Sequence, residues 1–111
     1  MEIHNVEYKH CDLIEVTGRI DSSTAPELGE AIQKITDAGR FKIVIDMSKV
    51  EFISSAGLRV LIATQKNCRR YNRGEVVFAG ISKYILDVFE LAGFTPLFKF
   101  FDDVVAAVGN F

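Results

Sequence analysis

The sequence predicts an α/β fold: a single domain with a mixed, mostly parallel sheet of about five strands and about four helices. Three observations predict it. Two nearly continuous apolar runs, Lys42-Ile43-Val44-Ile45-Asp46 and Glu75-Val76-Val77-Phe78-Ala79, have the pattern of strands covered on both faces. Segments with apolar residues at helical spacing alternate with them. The chain has 111 residues, 49% of them apolar, which fits one domain (1–111) with a core of its own and leaves no room for a second.

The first element is a short strand over Val6 to Lys9, with Glu2 as its earliest start. Leu13-Ile14-Glu15-Val16-Thr17 is a stronger strand, rich in β-branched residues and closed by Gly18. Cys11-Asp12 is the turn between them, making an N-terminal hairpin. Arg19-Ile20-Asp21 continues the second strand or leaves it. Ser22-Ser23-Thr24-Ala25-Pro26-Glu27 is a helix start, with capping-box spacing between Thr24 and Glu27 and Pro26 in the first turn. Leu28, Ala31, Ile32 and Ile35 then share a face, and Gly39 ends the helix as a left-handed cap.

After the strand Lys42 to Asp46, Met47 to Ile53 reads as a short irregular connection. Ser54-Ser55-Ala56-Gly57 opens a second helix with Leu58, Leu61, Ile62 and Gln65 along one side. It runs to Tyr71-Asn72, and Arg73-Gly74 turns the chain. After the strand Glu75 to Ala79, Ser82 caps a third helix whose Ile85, Val88 and Phe89 share a face, and Gly93 ends it. Leu97 to Phe100 is the last strand. Asp102 or Asp103 starts a terminal helix with Val104, Val105 and Val108 inward. The order is β-β-α-β-α-β-α-β-α, with right-handed crossovers expected between successive parallel strands. There is no internal repeat, linker or low-complexity segment.

Composition removes several function classes. The net charge is −2 and the basic residues are scattered apart from Lys66, Arg69, Arg70 and Arg73, which is not the balance of a nucleic-acid binder. That basic side of the second helix reads as a solvated face with favourable helix-dipole contacts, any partner contact being secondary. No apolar run approaches the roughly 20 residues of a membrane span. Met1-Glu2-Ile3-His4 has no leader character, and two isolated cysteines, Cys11 and Cys68, suit reduced thiols in the cytoplasm. They form no cluster with histidine, so neither a metal nor any other cofactor is expected. The near-neutral surface is compatible with a monomer.

A catalytic reading lacks its parts. A serine nucleophile needs a base and an orienting group. The only histidines, His4 and His10, lie in the first hairpin, and no nucleophile elbow or phosphate-binding glycine loop occurs. Asp21 and Asp46 could be drawn as a carboxylate pair, but a helix cap and a strand end account for them more simply.

In open α/β sheets functional groups gather at the carboxyl ends of strands. Two polar loops qualify: Asp21-Ser22-Ser23-Thr24, and the stretch from Asp46-Met47-Ser48 to Ser54-Ser55-Ala56-Gly57. Ser54 and Ser55 fall at a helix N-terminus, where free N–H groups and the helix dipole favour an anion. A phosphate on Ser55 would bring about −1.5 to −2 charges to that place. The fold should tolerate it, whereas a partner burying Ser55 should not, because desolvating a dianion is expensive. A serine at a helix start is by itself more often a cap than a phosphoacceptor.

These segments match a family pattern. Gly18-Arg19-Ile20-Asp21 followed by Ser22-Ser23-Thr24-Ala25 resembles the Gly-x-Leu/Ile-Asp segment of STAS domains. Ile43 through Leu58 resembles the signature of anti-sigma-factor antagonists: an apolar strand, Asp or Asn, a hydrophobic step with Phe or Tyr, then Asp-Ser-Ser/Ala-Gly-Leu/Ile. Gly74 to Phe78 and Phe89-Glu90-Leu91-Ala92-Gly93-Phe94 are similar to family segments too, so the resemblance covers essentially the whole chain.

The resemblance implies a STAS-like fold and a binding switch with no catalysis of its own. The unphosphorylated antagonist captures an anti-sigma factor that is also a serine kinase of the histidine-kinase-like ATPase fold. Phosphorylation releases it, and a metal-dependent serine phosphatase resets the switch. By position Ser55 matches the acceptor. Gly57 and Leu58 match the residues after it, and Asp21 and Asp46 match acidic or amide positions flanking the phosphorylated loop. The implied partner contacts are Asp21, Ser22, Ser23, Asp46, Ser54, Ala56, Gly57, Leu58 and Arg59. One departure is Ser54 where the family usually has Asp, which leaves Ser54 as an alternative acceptor. The competing implication is a STAS accessory subunit of a membrane transport ATPase, or another signalling scaffold, with constitutive binding, since a shared fold does not by itself set function.

Overall fold

Two central strands carry apolar side chains on both of their faces, and this decides the layering. The computed structural model describes residues 1–111. Its elements are β1 (Glu2–Glu7), β2 (Asp12–Ile20), α1 (Ala25–Asp37), β3 (Lys42–Ile53), α2 (Ser55–Arg69), β4 (Glu75–Ala79), α3 (Lys83–Leu91), β5 (Lys99–Phe101) and α4 (Val104–Gly109). A single 3₁₀ turn occupies Thr95–Leu97. The sheet order is β1-β2-β3-β4-β5; β1 and β2 are antiparallel and every other pair is parallel. The predicted fold class, a mixed five-stranded sheet with four helices, is the observed one.

Successive strand residues point to opposite faces. Ile43, Ile45 and Met47 of β3, with Val76 and Phe78 of β4, join the main core under α1, α2 and α3, which contribute Leu28, Ile32, Leu61 and Phe89. Val44, Val77 and Ala79 face the other way into a smaller cluster closed by Ala107 of α4. The aromatic end of the main core is interlocked: Phe78 meets Phe89 edge-on at 5.3 Å between ring centroids and Phe98 at 4.8 Å.

Most element ends fall where expected, including left-handed Gly39 and Gly93 and the side-chain caps of Ser82 and Asp103. The exceptions have physical causes. Asp12 is the first residue of β2 and not a turn residue: the hairpin closes with the Tyr8 N–H donating to the Cys11 carbonyl at 2.8 Å, and the buried Asp12 carboxylate pairs with Arg40. Gly18 does not end β2. It takes a φ of 101°, and the strand runs on to Ile20. At the end of α2, Tyr71 and Asn72 turn the chain with φ of 58° and 56°. The last strand starts at Lys99, after the Thr95–Leu97 turn. In α4, Val105 is 82% exposed, and Ala107 takes the inward place with Val104 and Val108 packed beside it.

The largest correction concerns Met47 to Ile53, which is not a connection but the second half of β3. Its pairing with β2 advances from Glu15 opposite Asp46 to Ile20 opposite Ile53, so β3 spends seven steps where β2 spends five. The extra residues sit at two register shifts, which break the period-two alternation that marks a strand in a sequence. β4 pairs with β3 only as far as Asp46, so the ends of β2 and β3 project beyond it as a two-stranded extension.

Candidate functional site

The tip of that extension is where the two polar loops meet. The Ser54 N–H donates to the Ile20 carbonyl at 2.8 Å, tying the start of α2 to the end of β2. Ser54 is the N-cap: its backbone is extended, and its Oγ accepts the Gly57 N–H at 3.3 Å. Ser55 is the first residue of the 15-residue α2 and is exposed. No acidic side chain occupies that first turn, so the positive end of the helix dipole is not offset locally.

Gly57 lets α2 come this close. A Cβ there would lie 2.6 Å from Ile20 Cγ2 and 2.9 Å from Ile53 Cγ1, both in the core. Glycine two residues after Ser55 is thus required by the approach of helix to sheet.

The neighbouring loop is held by its own side chains. The Asp21 carboxylate accepts the Ser23 N–H and the Thr24 N–H, each at 3.0 Å, and the Ser23 hydroxyl at 2.7 Å. Ser23's hydroxyl first, then the Thr24 N–H, lowers the Asp21 pKa below the usual carboxylate range. Thr24 does not form the expected capping box. Its Oγ1 accepts the Asp21 N–H at 2.8 Å and donates to the Arg19 carbonyl at 2.9 Å. Asp21 therefore acts as the loop clamp, the simpler of its two sequence readings.

Of the residues singled out in the sequence, Ser22, Ser23, Ser55 and Arg59 are exposed, and Asp21, Ser54 and Ala56 are half-buried around them. Gly57 and Leu58 are buried; they shape the tip from below and offer little surface. Asp46 is not part of the cluster. It lies opposite Glu15 in the middle of β3, five β2 steps from the tip, or about 16 Å at the usual strand rise. Its Oδ1 accepts the Ser48 N–H at 3.0 Å, so it neither flanks the serine loop nor pairs with Asp21.

Sequence reading missed the contact between Arg19 and Phe52. They are register partners on the extension, and the Arg19 guanidinium sits 4.3 Å over the Phe52 ring beside the tip. The signal was hidden because Phe52 looked like part of a loop. No histidine stands near Ser55: His10 is in the hairpin turn at the far end of β2, about 26 Å away along the strand, and His4 pairs opposite Glu15. Both cysteines are buried thiols, Cys68 pushed up to about 11 by burial and Cys11 raised for the same reason. No group of three or more His, Cys, Asp or Glu could hold a metal ion. No helix is long and apolar enough to cross a membrane.

The STAS domain family model matches residues 2–107 of this α/β chain. The chain belongs to that family. BtrV of Bordetella bronchiseptica is 32% identical over 94 residues, covering 85% of this chain and 80% of that protein. The anti-sigma-B factor antagonist of Listeria monocytogenes is 29% identical over 99 residues, covering 89% of this chain and 85% of that protein. The crystal structure of an anti-sigma factor antagonist from Mycobacterium paratuberculosis superposes with a TM-score of 0.82 at 28% identity, over 98% of this chain and 92% of that one. The Bacillus cell fate determinant SpoIIAA in its phosphorylated form shares the fold, with a TM-score of 0.77 at 14% identity over 98% of each chain. The chain's relatives are thus regulatory proteins of the anti-sigma-factor-antagonist kind.

Proposed function

We propose that this protein is a phosphorylation-controlled partner switch acting in the cytoplasm. Unphosphorylated, it binds an anti-sigma factor that is also a serine kinase of the histidine-kinase-like ATPase fold. Phosphorylated on Ser55, it lets go, and a serine phosphatase restores it. The observation that carries this is the division of labour between adjacent serines. The Ser54 hydroxyl is engaged as the cap of α2, whereas Ser55 stands exposed on the first turn. That favours Ser55 over Ser54 as the acceptor.

The energetics agree in sign. A phosphate at a helix N-terminus is favourable by about 0.3–1 kcal/mol, so the fold survives it. A partner surface closed over Ser55 would have to desolvate the dianion, which costs far more than a typical contact contributes. The kinase supplies base, Mg²⁺ and ATP, so the chain needs only a positioned hydroxyl. Wild-type, Ser55→Ala and Ser55→Asp baits in a native lysate, read by mass spectrometry, test the proposal. A kinase-type ATPase retained by the first two and lost by Ser55→Asp is the expected result. Equal recovery on all three baits, above all of transporter subunits, would sink it and leave Ser55 as a helix-end residue.

A further inference from the structure

We propose that the outer face of α2, together with Phe94 and Leu97, is a docking groove for an acidic amphipathic helix of a partner protein. Two adjoining depressions of about 360 and 380 Å³ run along this face and share Ile62 and Lys66 in their walls. Their apolar floor is Ile62, Phe94 and Leu97, the last 39% exposed. Arg59, Lys66, Arg69 and Arg70 line the edges, and no carboxylate lines either depression.

The charge is local and unanswered. Residues 55–73 hold five of the chain's 13 cations and no acid, although the whole chain is net −2. The ion pairs of the protein are Arg40 with Asp12, Lys83 with Asp87 and Lys99 with Glu75; none involves the groove. The fifth cation, Arg73, is occupied inside the fold: its Nη2 donates to the Asn67 carbonyl at 2.6 Å, and its guanidinium sits 3.8 Å over Phe41. The other four have no such role. Like charges three and four residues apart, as at Lys66, Arg69 and Arg70, destabilise a helix by about 0.2–0.5 kcal/mol per pair. The helix dipole accounts for cations in the last turn but not for Arg59 near the other end.

An acidic amphipathic helix answers both features. Apolar side chains at i, i+3, i+4 and i+7 would cover Ile62, Phe94 and Leu97, and flanking carboxylates would meet the cations. A lipid surface cannot follow a floor recessed between two elements. A nucleic acid would leave that apolar floor uncovered. The inference does not depend on phosphorylation of Ser55.

The test uses the whole chain and a synthetic helical peptide carrying Leu at i, i+3, i+4 and i+7 with Glu between. A peptide of the same composition with its Leu residues dispersed is the control. The expected result is saturable binding with amide shift changes in nitrogen–proton correlation spectra confined to Ile62, Lys66, Arg69, Phe94 and Leu97. The doubly substituted Lys66→Glu/Arg69→Glu protein, its fold checked by circular dichroism, should bind about tenfold or more weakly. Lys66→Gln/Arg69→Gln should fall between, and raising ionic strength should weaken wild-type binding. Absence of saturable binding, equal binding of the dispersed peptide, indifference to charge reversal, or shifts mapping elsewhere would overturn the proposal. So would tighter, Lys66- and Arg69-dependent binding to phosphatidylglycerol vesicles or to duplex DNA.

Discussion

Replacing Gly57 by alanine should destabilise the protein, although the same change in an ordinary helix stabilises. The new Cβ would lie 2.6 Å from Ile20 Cγ2 and 2.9 Å from Ile53 Cγ1. An unstrained carbon–carbon contact needs about 3.5–4.0 Å, so α2 must lift from the sheet by about 1 Å. Ile20 and Ile53 are 0% and 3% exposed and cannot yield into solvent. Removing a helical glycine gains about 0.5–1 kcal/mol. Overpacking costs about 1–3 kcal/mol. Lifting α2 also stretches the bond from the Gly57 N–H to Ser54 Oγ, already 3.3 Å long, putting a cap of about 1 kcal/mol at risk. The net loss is therefore about 1–3 kcal/mol, or about 4 °C in Tm per kcal/mol for a domain of this size. Gly29→Ala is the matched control. Its Cβ would meet only Val60 Cγ1 at an ordinary 3.9 Å, so it should stabilise by about 0.5–1 kcal/mol. Urea unfolding of both variants measures the pair. A Gly57→Ala protein as stable as wild type would refute the close-approach account of this site.

Ser54→Ala should cost about 1 kcal/mol as a lost cap, while Ser55→Ala stays within about 0.5 kcal/mol of wild type; equal losses in urea would contradict the assignment of roles. Gln65→Leu should cost at least about 2 kcal/mol, because buried Gln65 accepts the Val76 N–H at 2.6 Å and donates to the Leu97 carbonyl at 2.7 Å; a neutral result in thermal melts would refute that accounting. Cys68 should resist thiol reagents in the native protein at neutral pH and react on unfolding. Since burial raises its pKa to about 11, the unfolded chain ionises first, and stability should fall as pH rises from about 9 to about 11. A Cys68→Ala protein with the same alkaline decline would assign it to other groups.

Much of the fold was legible because its central strands are apolar on both faces and its helices keep a clean stripe. Ile43 to Ile45 and Val76 to Ala79 could be little other than buried strands, and Leu28, Ile32 and Ile35 could share a core only on a helix. Caps at Ser82 and Asp103 and left-handed turns at Gly39 and Gly93 were readable for the same reason: each depends on the residue and its immediate neighbours.

The sequence by itself determined the order of elements, the STAS resemblance and the serine pair at a helix start. Tertiary structure alone decided which parts meet. The second half of β3 became a strand only because β2 was there to pair with it across two register shifts, and those shifts erase the alternation a sequence reading needs. That pairing carries Asp21 to Ser54, places Arg19 over Phe52, and leaves Asp46 behind in mid-sheet. Likewise the cations of α2 are exposed as the sequence reading has them, and only the fold brings Phe94 and Leu97, distant in sequence, beside Ile62. Local chemistry writes caps, stripes and turns into the chain, whereas contacts across the sheet depend on partners that no short window contains.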